Sequence, residues 1–123
     1  MKIIKAEDVD FVDKPEGVSV HYYTFSDYEV HYNEQAPHTT QTWHHHEKIW
    51  ESIYIIEGEL IAYWREDSTE QSQKVVAGDM IETERTPHTF SNESDNMVKF
   101  LVVKRMPSSV DYSETLRTDK VLD

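Results

Sequence analysis

Cysteine is absent from this chain. Disulfides, thiolate nucleophiles and cysteine-held zinc or iron–sulfur sites are therefore excluded, and any metal has to be bound by histidine and carboxylate. Basic residues are scarce: 12 Lys and Arg stand against 24 Asp and Glu, a formal net charge of −12. A field of that sign repels phosphate backbones and anionic headgroups, so nucleic acid is not an expected partner. No apolar run approaches the ~18 residues of a membrane span. The opening stretch MKIIKAEDVDFVDK meets acids before any signal-peptide core forms, so a soluble cytoplasmic protein without membrane contact is expected. Glycine is limited to Gly17, Gly58 and Gly78. A β-rich chain so poor in glycine should place each one where φ is positive or backbones approach closely, and Gly58 and Gly78 are read as obligatory turns.

Aromatics compensate for modest aliphatic content. Three Trp, seven Tyr and four Phe among 123 residues supply a core, and the length suits one domain over 1–123. The sequence predicts two short strands between Val18 and Tyr32 with a break at Ser26 and Asp27, then extended segments over Thr40–His46 and Glu51–Trp64, the latter bending at Glu57 and Gly58. DSTEQSQ from Asp67 reads as a polar hairpin tip, KVVAGDMIE as strand and turn, HTFSN as a strand, NESDN as another tip, and MVKFLVVKR as a last strand. Turn signals every 8–12 residues or so indicate an all-β sandwich or barrel, with its core over about 18–105. The polar tail 107–123 is read either as a short helix near Val110–Leu116 or as an extended arm.

Seven histidines are present: His21, His31, His38, His44, His45, His46 and His88. In a strand, residues i and i+2 share a face, so His44 and His46 would present two imidazoles side by side while His45 points away. Glu51 lies an odd number of residues beyond His46 and reaches the same face only if the chain bends or bulges across Glu47–Trp50. Alternation then restarts, with Ile53 and Ile55 on the Glu51 face and Tyr54 opposite. His88 opens a strand that has Phe90 and Asn92 at the same parity.

The pattern His44-x-His46, four residues, Glu51, six residues, Gly58 resembles the first signature of the cupin superfamily, and His88, three residues, Asn92 resembles the end of its second. The resemblance spans about Thr40 to Arg105. The chain departs from the pattern at His38, where the family has Gly, and over Glu82–Thr86, where a Pro-x-Gly normally precedes the histidine. The resemblance implies a double-stranded β-helix (jelly-roll) cupin barrel in which His44, His46, Glu51 and His88 converge on one divalent transition metal per chain, and it implies a homodimer. Three imidazoles and one carboxylate leave such a cation with net charge +1 and open positions, an arrangement that Fe, Mn, Ni, Cu and Zn all tolerate.

Several other residues admit two roles. Trp43, Trp50 and Trp64 are read as core or interface in preference to a substrate-stacking wall. Glu82, Glu84 and Arg85 are read as surface charges, Tyr54 and Tyr63 as weaker candidates for cavity donors, and Met80, Phe90, Phe100 and Val102 as barrel lining. The function expected is a metal-dependent enzyme on a small enolisable molecule, dioxygenase-like, with Glu51 as ligand and proton acceptor. Alternatives are a metal-dependent sugar isomerase or lyase, and a non-catalytic small-molecule binding module.

Overall fold

The computed structural model describes residues 1–123. Its strands are β1 (Asp10–Asp13), β2 (Val18–Thr24), β3 (Tyr28–Gln35), β4 (Thr39–Thr40), β5 (Trp50–Glu57), β6 (Glu59–Glu66), β7 (Thr69–Val76), β8 (Met80–Glu82), β9 (His88–Asn92) and β10 (Val98–Arg105). A 3-10 turn at Ala6–Asp8 and one helix, α1 (Ser113–Thr118), complete it. Two antiparallel sheets result, one of six strands in the order β1-β2-β3-β10-β5-β8 and one of four in the order β4-β9-β6-β7. This is the all-β jelly-roll architecture expected. No helix is long and apolar enough to cross a membrane.

The core lies between the sheets. Ile53, Ile55, Val98, Phe100 and Val102 face Leu60, Ala62, Val75 and Phe90, and Trp64 and Ile81 pack against the cluster. Parity on β5 is as read: Glu51, Ile53 and Ile55 are buried and Tyr54 is exposed. Met80 is not barrel lining. It pairs with Tyr54 across β8 and β5, shares the outer face and is exposed.

Both glycine turns are sheet crossings. Gly58 carries the chain from β5 to β6, and Gly78 carries it from β7 to β8, each with strongly positive φ (90° and 94°). They differ in surroundings: a Cβ on Gly58 would meet Val98 Cγ2 at 3.0 Å and the Met97 carbonyl oxygen at 3.1 Å, whereas one on Gly78 meets nothing within 4 Å. Gly58→Ala is therefore expected to destabilise by about 2–3 kcal/mol and Gly78→Ala by about 1 kcal/mol, since only the first adds a clash to the backbone strain. Paired urea melts check this, and equal losses would remove the clash as the cause.

Other boundaries differ from the sequence reading. The hairpin tip is only Asp67 and Ser68, both at positive φ, and Glu66 pairs with Thr69. A two-residue loop with that geometry matches strand twist, so the polar run Thr69–Gln73 continues as the exposed strand β7. Thr40–His46 is not one strand. Thr40 pairs with Ser91 and His44 with His88, four steps on one side against three on the other, which is a bulge in the segment alongside β9. β3 runs on past Tyr32 to Gln35, and β1, whose residues are all exposed, gave no local signal. The tail forms α1, somewhat later than read and with no buried residue.

Candidate metal centre

The bulge and the β9 pairing set His44 beside His88. The two residues exchange both backbone hydrogen bonds, at 3.0 and 2.9 Å, and their rings meet edge to face at 4.5 Å between centroids. His46 follows two residues on, its ring 5.5 Å from that of His44. The chain then bends at Glu47 and Lys48 and enters β5, whose inner face delivers Glu51. One donor atom each from His44, His46 and Glu51 lies within 4.8 Å of the others, a group that could hold a metal ion. His46 Nε2 is 3.1 Å from Glu51 Oε2, and His88 Nε2 is 3.5 Å from Glu51 Oε1.

Backbone carbonyls orient two of the rings. His44 Nδ1 lies 2.8 Å from the Thr42 oxygen and His88 Nδ1 lies 2.6 Å from the Thr86 oxygen. A carbonyl only accepts, so each Nδ1 carries a proton and each Nε2 is left as the nitrogen through which the ring could meet a metal. His88 Nε2 is buried and has no hydrogen-bond partner. A polar nitrogen left without a partner at that depth is costly unless something outside the chain satisfies it, and a cation on this donor set would do so through the deprotonated nitrogen.

Charge reinforces the arrangement. Burial alone would raise the Glu51 carboxyl, but the neighbouring His88 imidazole, the Lys104 ammonium and the His46 ring outweigh it and hold the carboxyl down at about 2. Burial pushes His46 below its ordinary 6.5, against the opposing pull of Glu51. His31 is also lowered by burial, although its hydrogen bond with Glu29 opposes the shift. A histidine lowered in the fold is bound to fewer protons than in the unfolded chain, so its stabilisation is complete above 6.5 and is lost as pH falls. Glu51, at about 2 folded against 4.5 ordinarily, contributes stability that is complete above 4.5 and disappears toward 2. With a chelator present, the urea midpoint should be level above neutrality and fall in two stages on acidification, the lower stage amounting to roughly 3 kcal/mol. Glu51→Gln should shrink the lower stage, leaving the smaller contributions of Glu29 and Asp111, whose carboxyls are also lowered, and a midpoint that rises on acidification would contradict both assignments.

His88 lines a cavity of ≈ 490 Å³, whereas His44, His46 and Glu51 open onto a neighbouring one of ≈ 370 Å³ lined also by His31, Asn33, Gln41 and Lys104. None of these was singled out from sequence. The available signal was the alternation His31, Asn33, Gln35 along β3, three polar residues that share a face and are all buried. Elsewhere the surface readings hold. His45 is half exposed and His38 pairs with Asp95 on the surface. Tyr54 is exposed on the outer face, while Tyr63 donates to Glu93. Glu82, read as a solvated surface charge, is instead half-buried: it accepts from Ser52, its Oε1 is buried without a partner, and it lines the cavity that His88 also lines. The three tryptophans form no wall: Trp43 lies under the Arg65 guanidinium, Trp50 contacts Arg85 and Arg105, and Trp64 packs on the core.

A family model described as Cupin_2, Cupin domain, matches residues 31–104. Solved structures that share the fold include Drosophila melanogaster CENP-C bound to CAL1, at 17% identity and TM-score 0.72 over 83% of this chain and 84% of that one. A sugar phosphate isomerase from a cupin superfamily, from Silicibacter pomeroyi, matches at 19% identity and TM-score 0.67 over 89% and 83%. An oxalate decarboxylase variant of B. subtilis matches at 17% identity and TM-score 0.73 over 89% of this chain and 30% of that one. No curated protein matches the sequence.

Proposed function

We propose that this chain, which belongs to the Cupin_2 family of cupin domains, binds one divalent transition metal through His44, His46, Glu51 and His88 and acts as an enzyme on a small enolisable molecule in the adjoining cavity. The observation that carries this reading is the buried, unpartnered Nε2 of His88, aimed at the carboxylate that His46 also contacts. A cation bound there supplies a Lewis acid and, as iron, manganese, nickel or copper, a redox centre as well, open to a small molecule. The chain's own part is to orient and exclude. The Thr42 and Thr86 carbonyls fix the orientation of two rings through Nδ1, and Ile53, Phe90, Phe100 and Val102 give the cavity its apolar lining.

Glu51 is the residue we assign to the catalytic role. Its carboxyl, held at about 2, stays ionised throughout the neutral range and suits a ligand first. As an acceptor for the proton of an enolising substrate it is a weak base, so that duty comes second. Elemental analysis of purified protein tests the metal, and oxygen uptake over a panel of enolisable compounds tests the dioxygenase-like chemistry. Metal near one equivalent per chain, with uptake supported by iron, manganese, nickel or copper and not by zinc, is the expected result. Metal far below one equivalent overturns the reading.

A second reading keeps the metal and dispenses with oxygen. It is favoured by the likeness in fold and length to the sugar phosphate isomerase, and zinc would then sustain turnover. The likeness to CENP-C bound to CAL1 supports a third, in which the barrel binds without turnover. The homodimer also belongs to the proposal: Tyr54, Ile56 and Met80 are exposed on the β5–β8 side of the six-stranded sheet, an edge that association would cover. Sedimentation at twice the chain mass supports it, and a monomer overturns it.

A further inference from the structure

The inner face of the six-stranded sheet is taken up by the core and the donor cavity. Its polar side chains line that cavity, where Lys104 Nζ lies 3.8 Å from Glu51 Oε2 and Asn33 Oδ1 is buried with no hydrogen-bond partner. The outer face is the anomaly. A sheet that covers a core on one side and meets water on the other ordinarily turns polar side chains outward. Here strand register lays an unbroken row across all six strands, Phe11–His21–Tyr32–Leu101–Tyr54–Met80, and beside it a second, Tyr23–Val30–Val103–Ser52–Glu82. Phe11, His21 and Tyr32 meet ring to ring, with centroids 4.8 and 6.0 Å apart, while Phe11, Tyr54 and Met80 are exposed.

The other sheet supplies the contrast. The outer face of β6 and β7 pairs Glu59 with Val76, Ile61 with Lys74 and Arg65 with Glu70, the charged surface of a solvated sheet. The two rows on the six-stranded sheet hold one carboxylate, Glu82 at the β8 margin, and no Lys or Arg, in a chain that is 29% charged. Polar groups return only in the flanking rows, with Arg105 between Tyr28 and Trp50 on one side and Lys99 between Glu34 and Glu57 on the other. An aromatic and aliphatic centre inside a polar rim is the make-up of a protein–protein contact.

Charge and size identify the occupant. A chain of net charge −12 repels its own copies except through a surface that carries almost no charge, and these rows are such a surface. A basic partner would instead be drawn to the carboxylates elsewhere. Five strand spacings of about 4.8 Å, and four rows about 7 Å apart, make a face of about 24 by 20 Å in plan, the scale on which one partner gives ~800 Å² of accessible surface to a standard interface.

We propose that two copies of this chain pack through these outer faces, sheet on sheet about a two-fold axis, with Tyr32 and Leu101 at the centre and Phe11 and Met80 at opposite margins. The inference rests on the homodimer reading above and extends the contact from the β5–β8 edge to the whole sheet.

Sedimentation velocity of the full chain over the micromolar range tests it, with three variants that add the same charge. His21→Glu on β2 and Tyr54→Glu on β5 put a carboxylate on either half of the face, where association would bury it with no cation in the rows to pair with. Each should weaken the dimer at least about 100-fold. Val76→Glu, on the outer face of the four-stranded sheet, should sediment as the wild type does. All three positions lie outside the hydrophobic cluster, so the far-UV circular dichroism of each variant should match the wild type. A dimer that survives in either His21→Glu or Tyr54→Glu, or is lost in Val76→Glu, overturns this inference alone. A wild-type monomer overturns the homodimer reading together with it and leaves the face to a different protein.

Discussion

His88→Ala is expected to weaken zinc binding by at least about 100-fold while the barrel still folds. The reason lies in what that imidazole lacks. Its Nδ1–H is committed to the Thr86 carbonyl, its Nε2 has no protein partner, and the ring is 4% exposed beside Glu51. Alanine removes that nitrogen, leaves the Thr86 carbonyl to water in the enlarged cavity and spares the nine-residue hydrophobic cluster, of which His88 is no member. Loss of the ligand and loss of the fold are thereby separable: competition with a chromophoric chelator reads the affinity, and a thermal melt in excess chelator reads the fold. His45→Ala is the control, because its ring is half exposed and points away from the donors, and its zinc affinity should match the wild type. An unchanged affinity in His88→Ala would remove His88 from the ligand set and leave only His44, His46 and Glu51.

Phe100→Ala should cost about 3–5 kcal/mol, the range for deleting a large buried aromatic that leaves a cavity behind. Phe100 is 1% exposed at the middle of β10, the strand that pairs with both β3 and β5, and its ring stands where the hydrophobic floor meets the polar cavity. Set against a typical total of about 5–15 kcal/mol, that loss takes a large share of the stability of a chain this size. Urea melts should show a strongly lowered midpoint. Phe11→Ala, on the exposed edge strand β1, should move it by less than about 1 kcal/mol. Equal losses at the two positions would mean that the space between the sheets is not the cooperative core.

Much of the candidate site was legible because strand alternation is a local property. His44 and His46 on one face, His45 on the other, Glu51 aligned with Ile53 and Ile55, and His88 aligned with Phe90 all follow from a period of two, and the family pattern linked the segments. Where alternation was extrapolated too far, it failed. Thr40–His46 was read as one strand, but the bulge against β9 gives that side an extra residue, and this is what brings His44 opposite His88. Met80 was placed inside because it is apolar, yet its pairing with Tyr54 puts it outside.

Lys104 and Asn33 show the boundary most clearly. Nothing near either residue in the chain distinguishes it from a solvated polar residue on a strand, and the row Glu29–Lys104–Glu51 exists only because β10 returns between β3 and β5. Short-range sterics and side-chain alternation dictate which residues are extended, where Gly58 and Gly78 let the chain change sheets, and which donors share a face. Which strands become neighbours is decided by long loop closures and by the burial of two sheet faces against each other, terms that no short stretch of residues contains. The class of fold and the inventory of donors are therefore local facts, whereas the orphaned Nε2 of His88, the empty acceptor of Asn33 and the lysine beside Glu51 come into being only when the barrel closes.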